Sequence, residues 1–370
     1  MPAPARFPLL IERQPDMDAL CDAIAAHNDV ALDTEFVRTS TYAPQLGLLQ
    51  LATSGITVCV DPLAGLDMRA FWTLMFDPQR TSTVHSAKQD QEVLWFSQRD
   101  IIHNLFDTQI AASLLGYPAQ IGYAGLLKEL LGIEIGKTET RTDWTRRPLT
   151  ELQLQYAAED VVHLPELAAI LTARLHEHGR YEWALEDSAA LCDVSLYQPV
   201  PDDAWQKIKS IPFLPPAQQA RARALAGWRE ARAVDADKPR QWIMSDASLL
   251  QLATANPASM QELARLSDVP AAIVRKQGAQ LIETMDAANR AFARGDLQLQ
   301  QQAVDIPREK ILSKKLLGQV SAVAGKLGIA SEVLASRRDI NALIRDPQTA
   351  RVSQGWRRTV IGEILLGELG

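Results

Sequence analysis

A chain of 370 residues, 47% hydrophobic and 22% charged, has the ordinary composition of a soluble globular protein with room for two or three domains. Its net charge of −7 hides an asymmetry: residues 1–200 hold 14 Lys and Arg against 27 Asp and Glu, and residues 201–370 hold 24 against 18. The opening MPAPARFPLLIERQ lacks the apolar run of a signal peptide, no later stretch is long enough to span a membrane, and so a cytoplasmic protein that does not engage the membrane is expected.

Cys21, Cys59 and Cys192 are far apart and form no CxxC, which fits reduced, packed thiols. The six histidines form no HExxH, and His176 and His178, two apart on a helix, diverge, so neither residue type argues for zinc. An acidic front half suits a site that gathers cations, and a basic rear half suits something that holds a polyanion; two solvated surfaces would read the same way.

In chain order, Val30–Asp33 runs apolar into DTEF as a first strand, and LGLLQLAT (46–53) is a second. Ser54-Gly55 is a turn signal into ITVCV, predicting a hairpin. Thr81–His85 is a short β-branched strand, followed by a helix over about 89–96. Asp107 has the position of an N-cap before TQIAASLLG. A Leu-rich helix is expected over 124–131, and the charged, threonine-dense stretch 133–149 reads as a surface loop. Thr150 and Gln153 have capping-box spacing and open a helix carrying Tyr156 and Asp160. Pro165 marks a break or the first turn of the next helix. After a linker at Gln198–Pro201 the strand signals stop. Helical patterns fill 203–294 and, past a break at 294–302, 303–370.

Four carboxylates stand out: Asp33 and Glu35 in ALDTEF, Asp90 in HSAKQD, and Asp160 in YAAEDV, with Tyr156 four residues before the last. An Asp-x-Glu on a strand sends both side chains to one face, and residues at i and i+4 share a helix face. Brought together, such carboxylates repel by about 4 kcal/mol per pair at 4 Å and an effective dielectric of about 20. Divalent cations relieve that repulsion, which is the composition of a two-metal phosphoryl-transfer site. Each piece alone has a plain alternative: DxE is common, Asp90 could serve a helix N-terminus, and Tyr156 could be half-buried core. His85 reads as a core or hydrogen-bonding residue. Lys137, Arg141, Arg146 and Arg147 could meet phosphates with Trp144 stacking a base, or form a solvated loop.

The phrases DTEFVRT with PQLGLLQL, HSAKQDQEVL, DTQIAASLLG, KTETRTDW followed by RPLT, and QYAAEDV occur in the order seen in the ribonuclease D family, which the chain resembles over nearly its full length. The resemblance implies an α/β RNase H-like catalytic domain of the DEDD exonuclease type (1–200), followed by two all-α HRDC-type domains (203–294 and 303–370). It implies a 3′→5′ exoribonuclease of the tyrosine subclass, a monomer that trims precursor tRNA and other structured RNA from a free 3′ end and releases 5′-mononucleotides. Two Mg2+ or Mn2+ ions are implied, held by Asp33, Glu35, Asp90 and Asp160, with Tyr156 orienting or deprotonating the attacking water. Ser86 departs from the alanine expected after the histidine. The catalytic residues alone do not separate RNA from DNA. A catalytically silent RNA-binding adaptor is a further rival, against which the intact acidic set speaks.

Overall fold

The computed structural model describes residues 9–136, 142–297, 299 and 307–369. Six strands form one mixed sheet: β1 (Leu10–Ile11), β2 (Asp29–Val37), β3 (Gln45–Ala52), β4 (Thr57–Val60), β5 (Thr81–Val84) and β6 (Leu105–Asp107), ordered β1-β4-β3-β2-β5-β6. β3 runs antiparallel to β2 and β4, and the remaining pairs are parallel. The expected hairpin is β3–β4, closed by a 2.9 Å bond from the Thr53 N–H to the Ile56 carbonyl. β1 and β6, two and three residues long, are too short to leave a periodic signal.

Eight helices flank the sheet: α1 (Gln14–Ala25), α2 (Arg69–Met75), α3 (Lys88–Gln98), α4 (Thr108–Leu114), α5 (Tyr123–Leu131), α6 (Glu151–Val162), α7 (Leu164–Glu177) and α8 (Tyr181–Ala189). The strand period of two divides β2 and β3 cleanly. Leu32, Leu49 and Leu51 pack with Met17, Leu20, Phe71, Val93 and Leu94 of α1, α2 and α3. On the opposite face Ala31 and Ala52 meet Val161 and Leu164, while Leu48 and Cys59 meet Trp144 and Ala157. Each large apolar side chain fully buried this way contributes about 1.5–3 kcal/mol.

Residues Gln198–Ile306 form a second compact unit, joined by Arg38–Ala43, the segment that follows β2. Its helices are α9 (Pro216–Asp235), α10 (Arg240–Ile243), α11 (Asp246–Ala255), α12 (Met260–Leu263) and α13 (Ala271–Arg294). Trp205, Leu225, Leu249, Leu252, Leu281 and Met285 share its core. Trp228 packs partly buried against that core, whereas Trp242 is 61% exposed on the short α10. Within the unit the Tyr42 hydroxyl donates to Glu230 at 2.5 Å, and the Tyr42 and Ala43 N–H groups donate to Asp237 at 2.9 and 3.0 Å. Burial opposes ionisation of Glu230, yet bonds from Arg240 and Tyr42 outweigh it and hold the carboxyl at about 2.

The last stretch departs from expectation. α14 (Pro307–Leu327), α15 (Ser331–Leu334), α16 (Arg337–Arg345) and the helical segment Gly355–Gly367 belong to the same compact unit as the sheet. Leu316, Val320, Leu334, Ile340, Leu343 and Leu365 enter one core with Leu114, Leu126, Leu167, Leu171 and Leu175. Residues 307–370 are thus built onto the sheet-bearing unit and do not form the separate third domain that 303–370 suggested. The two Gly-Trp-Arg phrases show why. Arg229 of the first is buried and pairs with Asp246 inside its own helical unit at 2.6 Å. Arg357 of the second is equally buried but pairs with Asp187 of α8 at 2.5 and 2.7 Å, while Trp356 stacks on Trp183 of α8 with ring centroids 4.3 Å apart. Gly355 has φ +51°, and a Cβ there would lie 1.6 Å from Glu186 Oε1, so only glycine lets this segment seat on α8.

Candidate active site

The sheet and two helices on its opposite faces bring all five expected residues into one neighbourhood. β2 carries Asp33 and Glu35; its register with β3 sets Asp33 opposite Gln50 and Glu35 opposite Leu48. Immediately after Glu35 the register shifts, with Gly47 as the extra residue on β3. Bulges of this kind re-aim side chains near functional sites. A Cβ on Gly47 would lie 2.6 Å from the Trp144 carbonyl oxygen, so glycine admits the loop 142–149 against the strand.

That loop is clamped by Arg147. Its Nε and Nη2 each meet the Asp61 carboxylate at 2.6 Å, Nη1 donates to the Trp144 carbonyl at 2.8 Å, and Nη2 also donates to the Gly47 carbonyl at 2.7 Å. Trp144, 3% exposed, lies in the core beside Leu48, Cys59 and Ala157 with its ring stacked near Tyr156 at 6.3 Å. The loop then ends in the expected capping box of Thr150 and Gln153, which starts α6 and places Tyr156 and Asp160 over the sheet. Trp144 is therefore a structural support of the site, and the expectation that its indole stacks a base is corrected, because the ring is inside; the Arg147 guanidinium is engaged by the fold while the residue stays exposed. Arg146 is exposed, and Lys137 and Arg141 lie outside the described residues.

Asp90 comes from the other helix layer, in the first turn of α3, where the helix dipole favours a carboxylate. The Thr34 hydroxyl donates to it at 2.6 Å. Asp107, buried at 2% exposure, accepts from the N–H groups of Gln109 at 2.8 Å and Ile110 at 3.3 Å as the expected cap of α4. It also accepts from Ser86 at 3.1 Å and Ala87 at 2.9 Å, fixing the entry to α3 and hence Asp90. Ser86 sits at φ +66°, a left-handed conformation held by that bond. His85 is likewise spent on structure, with Nδ1 2.9 Å from the Thr108 hydroxyl and Nε2 3.0 Å from the Ile121 carbonyl.

Electrostatics show that the carboxylates share one environment. Burial first, and then the charges of Asp90, Asp160 and Glu35, push Asp33 well above the ordinary carboxylate range. Burial, then Asp160 and Asp90, push Glu35 up to about 8. Asp90 rises to about 7 because burial outweighs the Thr34 bond, and Asp160 rises to about 7 through burial and Glu159. Among the described residues no three His, Cys, Asp or Glu side chains close onto a common point as a finished metal cage would have them. Four oxygen-donor carboxylates, Asp90 buried and the other three half-buried, each made costly to ionise chiefly by burial, fit hard divalent cations such as Mg2+ or Mn2+.

Three further residues belong to this neighbourhood. Thr34 was hidden between the two acids of DTEF, where alternation sends it to the α3 side. Gln50 is the polar interruption in the apolar QLGLLQLA and is fully buried. Tyr123 of α5 lies near enough to Asp160 and Asp33 for their charges to add to burial in raising its hydroxyl above the usual tyrosine range.

A mixed sheet with acids on its central strand and on helices of both layers, continued by a helical unit, defines a class: a family model described as 3′-5′ exonuclease matches residues 9–176, and an HRDC domain model matches 218–285. Ribonuclease D of Gluconacetobacter diazotrophicus is 35% identical over 364 residues, covering 96% of this chain and 91% of its own. Ribonuclease D of a Shewanella species is 36% identical over 347 residues, covering 91% and 87%. The crystal structure of Escherichia coli RNase D, described as an exoribonuclease involved in structured RNA processing, superposes with a TM-score of 0.88 at 32% identity over 97% of this chain and 98% of that one. The chain belongs to the ribonuclease D family of 3′→5′ exoribonucleases.

Proposed function

We propose that the chain trims the 3′ ends of structured RNA, precursor tRNA among them, by hydrolysis assisted by two divalent cations, releasing 5′-mononucleotides. The observation that supports this reading is the convergence of Asp90 and Asp160 on Asp33 and Glu35, close enough for their charges to add to burial in raising both. The fold keeps four carboxylates in one partly buried cluster at a cost that bound cations would remove. When bound, Mg2+ or Mn2+ ions supply Lewis acidity, lowering the pKa of water and stabilising the leaving 3′-oxyanion. Asp33, Glu35, Asp90 and Asp160 would hold these ions through their carboxylate oxygens. Tyr156, stacked over Trp144, would orient that water or take its proton at the phenolic oxygen.

For holding the substrate, the charge is distributed unexpectedly. Residues 201–306 hold 13 Lys and Arg against 12 Asp and Glu, whereas residues 307–370 hold 11 against 6. The basic excess of the rear half therefore sits almost wholly in the helices that share the catalytic unit's core. This favours the C-terminal stretch, more than the HRDC unit, as the electrostatic holder of RNA.

Purified protein is incubated with 5′-end-labelled RNA and DNA, with and without Mn2+, beside Asp33→Asn. We expect a ladder shortening from the 3′ end of RNA that needs the ion and vanishes in the variant. Full activity of folded Asp33→Asn, or equal activity after chelation, would sink the assignment.

A further inference from the structure

Gln50 is the polar side chain of β3 that faces α6. Its neighbours on that face, Leu48 and Ala52, pack against α6, and its pairing with Asp33 puts the two side chains on the same face with Cβ atoms about 4.5–5.5 Å apart. On its other flank Gln50 pairs with Cys59 of β4, itself buried. Gln50 is 0% exposed, and neither its amide nitrogen nor its amide oxygen has a hydrogen-bond partner. Burying a carboxamide without partners is unfavourable, and leucine or methionine would fill the same space without that cost. The fold keeps a two-donor, one-acceptor group beside the carboxylate central to the proposed site.

We propose that Gln50 is a positioning residue for Asp33: when the site carries its divalent cation, the Gln50 carboxamide donates to the Asp33 carboxylate and fixes its rotation. This rests on the cation-site reading above. A carboxylate acceptor roughly doubles the strength of a hydrogen bond, which gives a buried carboxamide beside Asp33 a use that leucine could not serve. Cys59 does not compete, because its thiol points its weak donor at the Leu154 carbonyl, 3.8 Å away.

The test compares the wild type, Gln50→Met and Gln50→Leu by thermal unfolding in EDTA and across a Mn2+ titration, with kcat and KM on a short RNA. In EDTA the variants should unfold at the wild-type temperature or above it, because no existing bond is lost. The Mn2+ concentration giving half the thermal shift should rise at least tenfold, and kcat should fall while KM for RNA holds. Gln50→Asn, which keeps a carboxamide, should recover part of the Mn2+ response. A variant with the wild-type Mn2+ midpoint overturns the proposal. So does a loss of stability in EDTA in both apolar variants, which would mean the side chain is held by bonds of a purely structural kind. A wild type that shows no Mn2+ shift overturns the cation site itself, a distinct result.

Discussion

Thr34 and Asp90 are joined by a 2.6 Å hydrogen bond that ties the strand bearing Asp33 and Glu35 to the helix bearing the third acid. The bond is buried and crosses from sheet to helix layer, so it sets the spacing of the two halves of the site. Thr34→Val keeps the shape and removes only the donor. We expect a loss of about 1–3 kcal/mol, the cost of leaving a buried acceptor unsatisfied. Asp90 should also titrate higher, since the Thr34 bond now opposes its elevation. Denaturant unfolding at pH 8 and a carboxyl NMR titration check both parts; an unchanged Asp90 titration would mean the bond has no electrostatic role.

The acid cluster reverses the usual pH dependence. In the cation-free protein Glu35 stands at about 8 and Asp90 and Asp160 at about 7, against about 4 when unfolded. A carboxyl raised by folding holds its proton more tightly when folded. Its contribution is therefore complete below the unfolded value and is lost as pH climbs through the folded one. Stability in EDTA should fall between about pH 4 and pH 8, and Glu35→Gln should flatten the upper part of that slope. Glu230, held at about 2, acts in the opposite sense but only below about pH 4, outside this window. Added Mn2+ should protect more at pH 8 than at pH 6, because ions and protons compete for the same oxygens. A melting temperature flat across the window would contradict the coupling.

Tyr156 and Trp144 separate chemistry from support. Tyr156→Phe keeps the ring on the indole and should lower kcat by about 10²–10⁴ while leaving the Mn2+ thermal shift intact. Trp144→Ala empties a buried site and should cost about 3–5 kcal/mol of stability. If Trp144→Ala left stability untouched and weakened only RNA binding, the indole would be a base platform after all.

Removing residues 307–370 should give unfolded or insoluble protein. The cut uncovers fully buried Leu114, Leu126, Leu127, Leu167, Leu171 and Leu175, each contributing about 1.5–3 kcal/mol when buried. Together these approach the whole stability of a typical domain, about 5–15 kcal/mol. Soluble yield and circular dichroism decide it; a well-folded chain ending at residue 306 with intact Mn2+ binding would show that the shared core is dispensable.

Much of the catalytic unit was legible because its signals are local. The DxE on β2, the cap at Asp107, the capping box at Thr150 and the hairpin turn at Ser54-Gly55 each depend on residues within a few positions. What could not be read depends on contacts across the chain. Trp144 and Arg147 sit in a stretch with the composition of a solvated loop, and only Gly47 and Asp61, about a hundred positions away, draw them inward. The third domain was misread for the same reason: 307–370 is amphipathic like any helical module, and what tells its partner is Asp187 under Arg357.

The shared core also has a consequence in time. Every carboxylate of the proposed site has been synthesised by residue 160, yet the wall behind α4, α7 and α8 is closed by side chains from Leu316 to Leu365. A nascent chain still on the ribosome thus carries the full set of acids without the packing that backs them. Packing behind the acid-bearing elements should therefore be completed only once the residues up to Leu365 are available to close it.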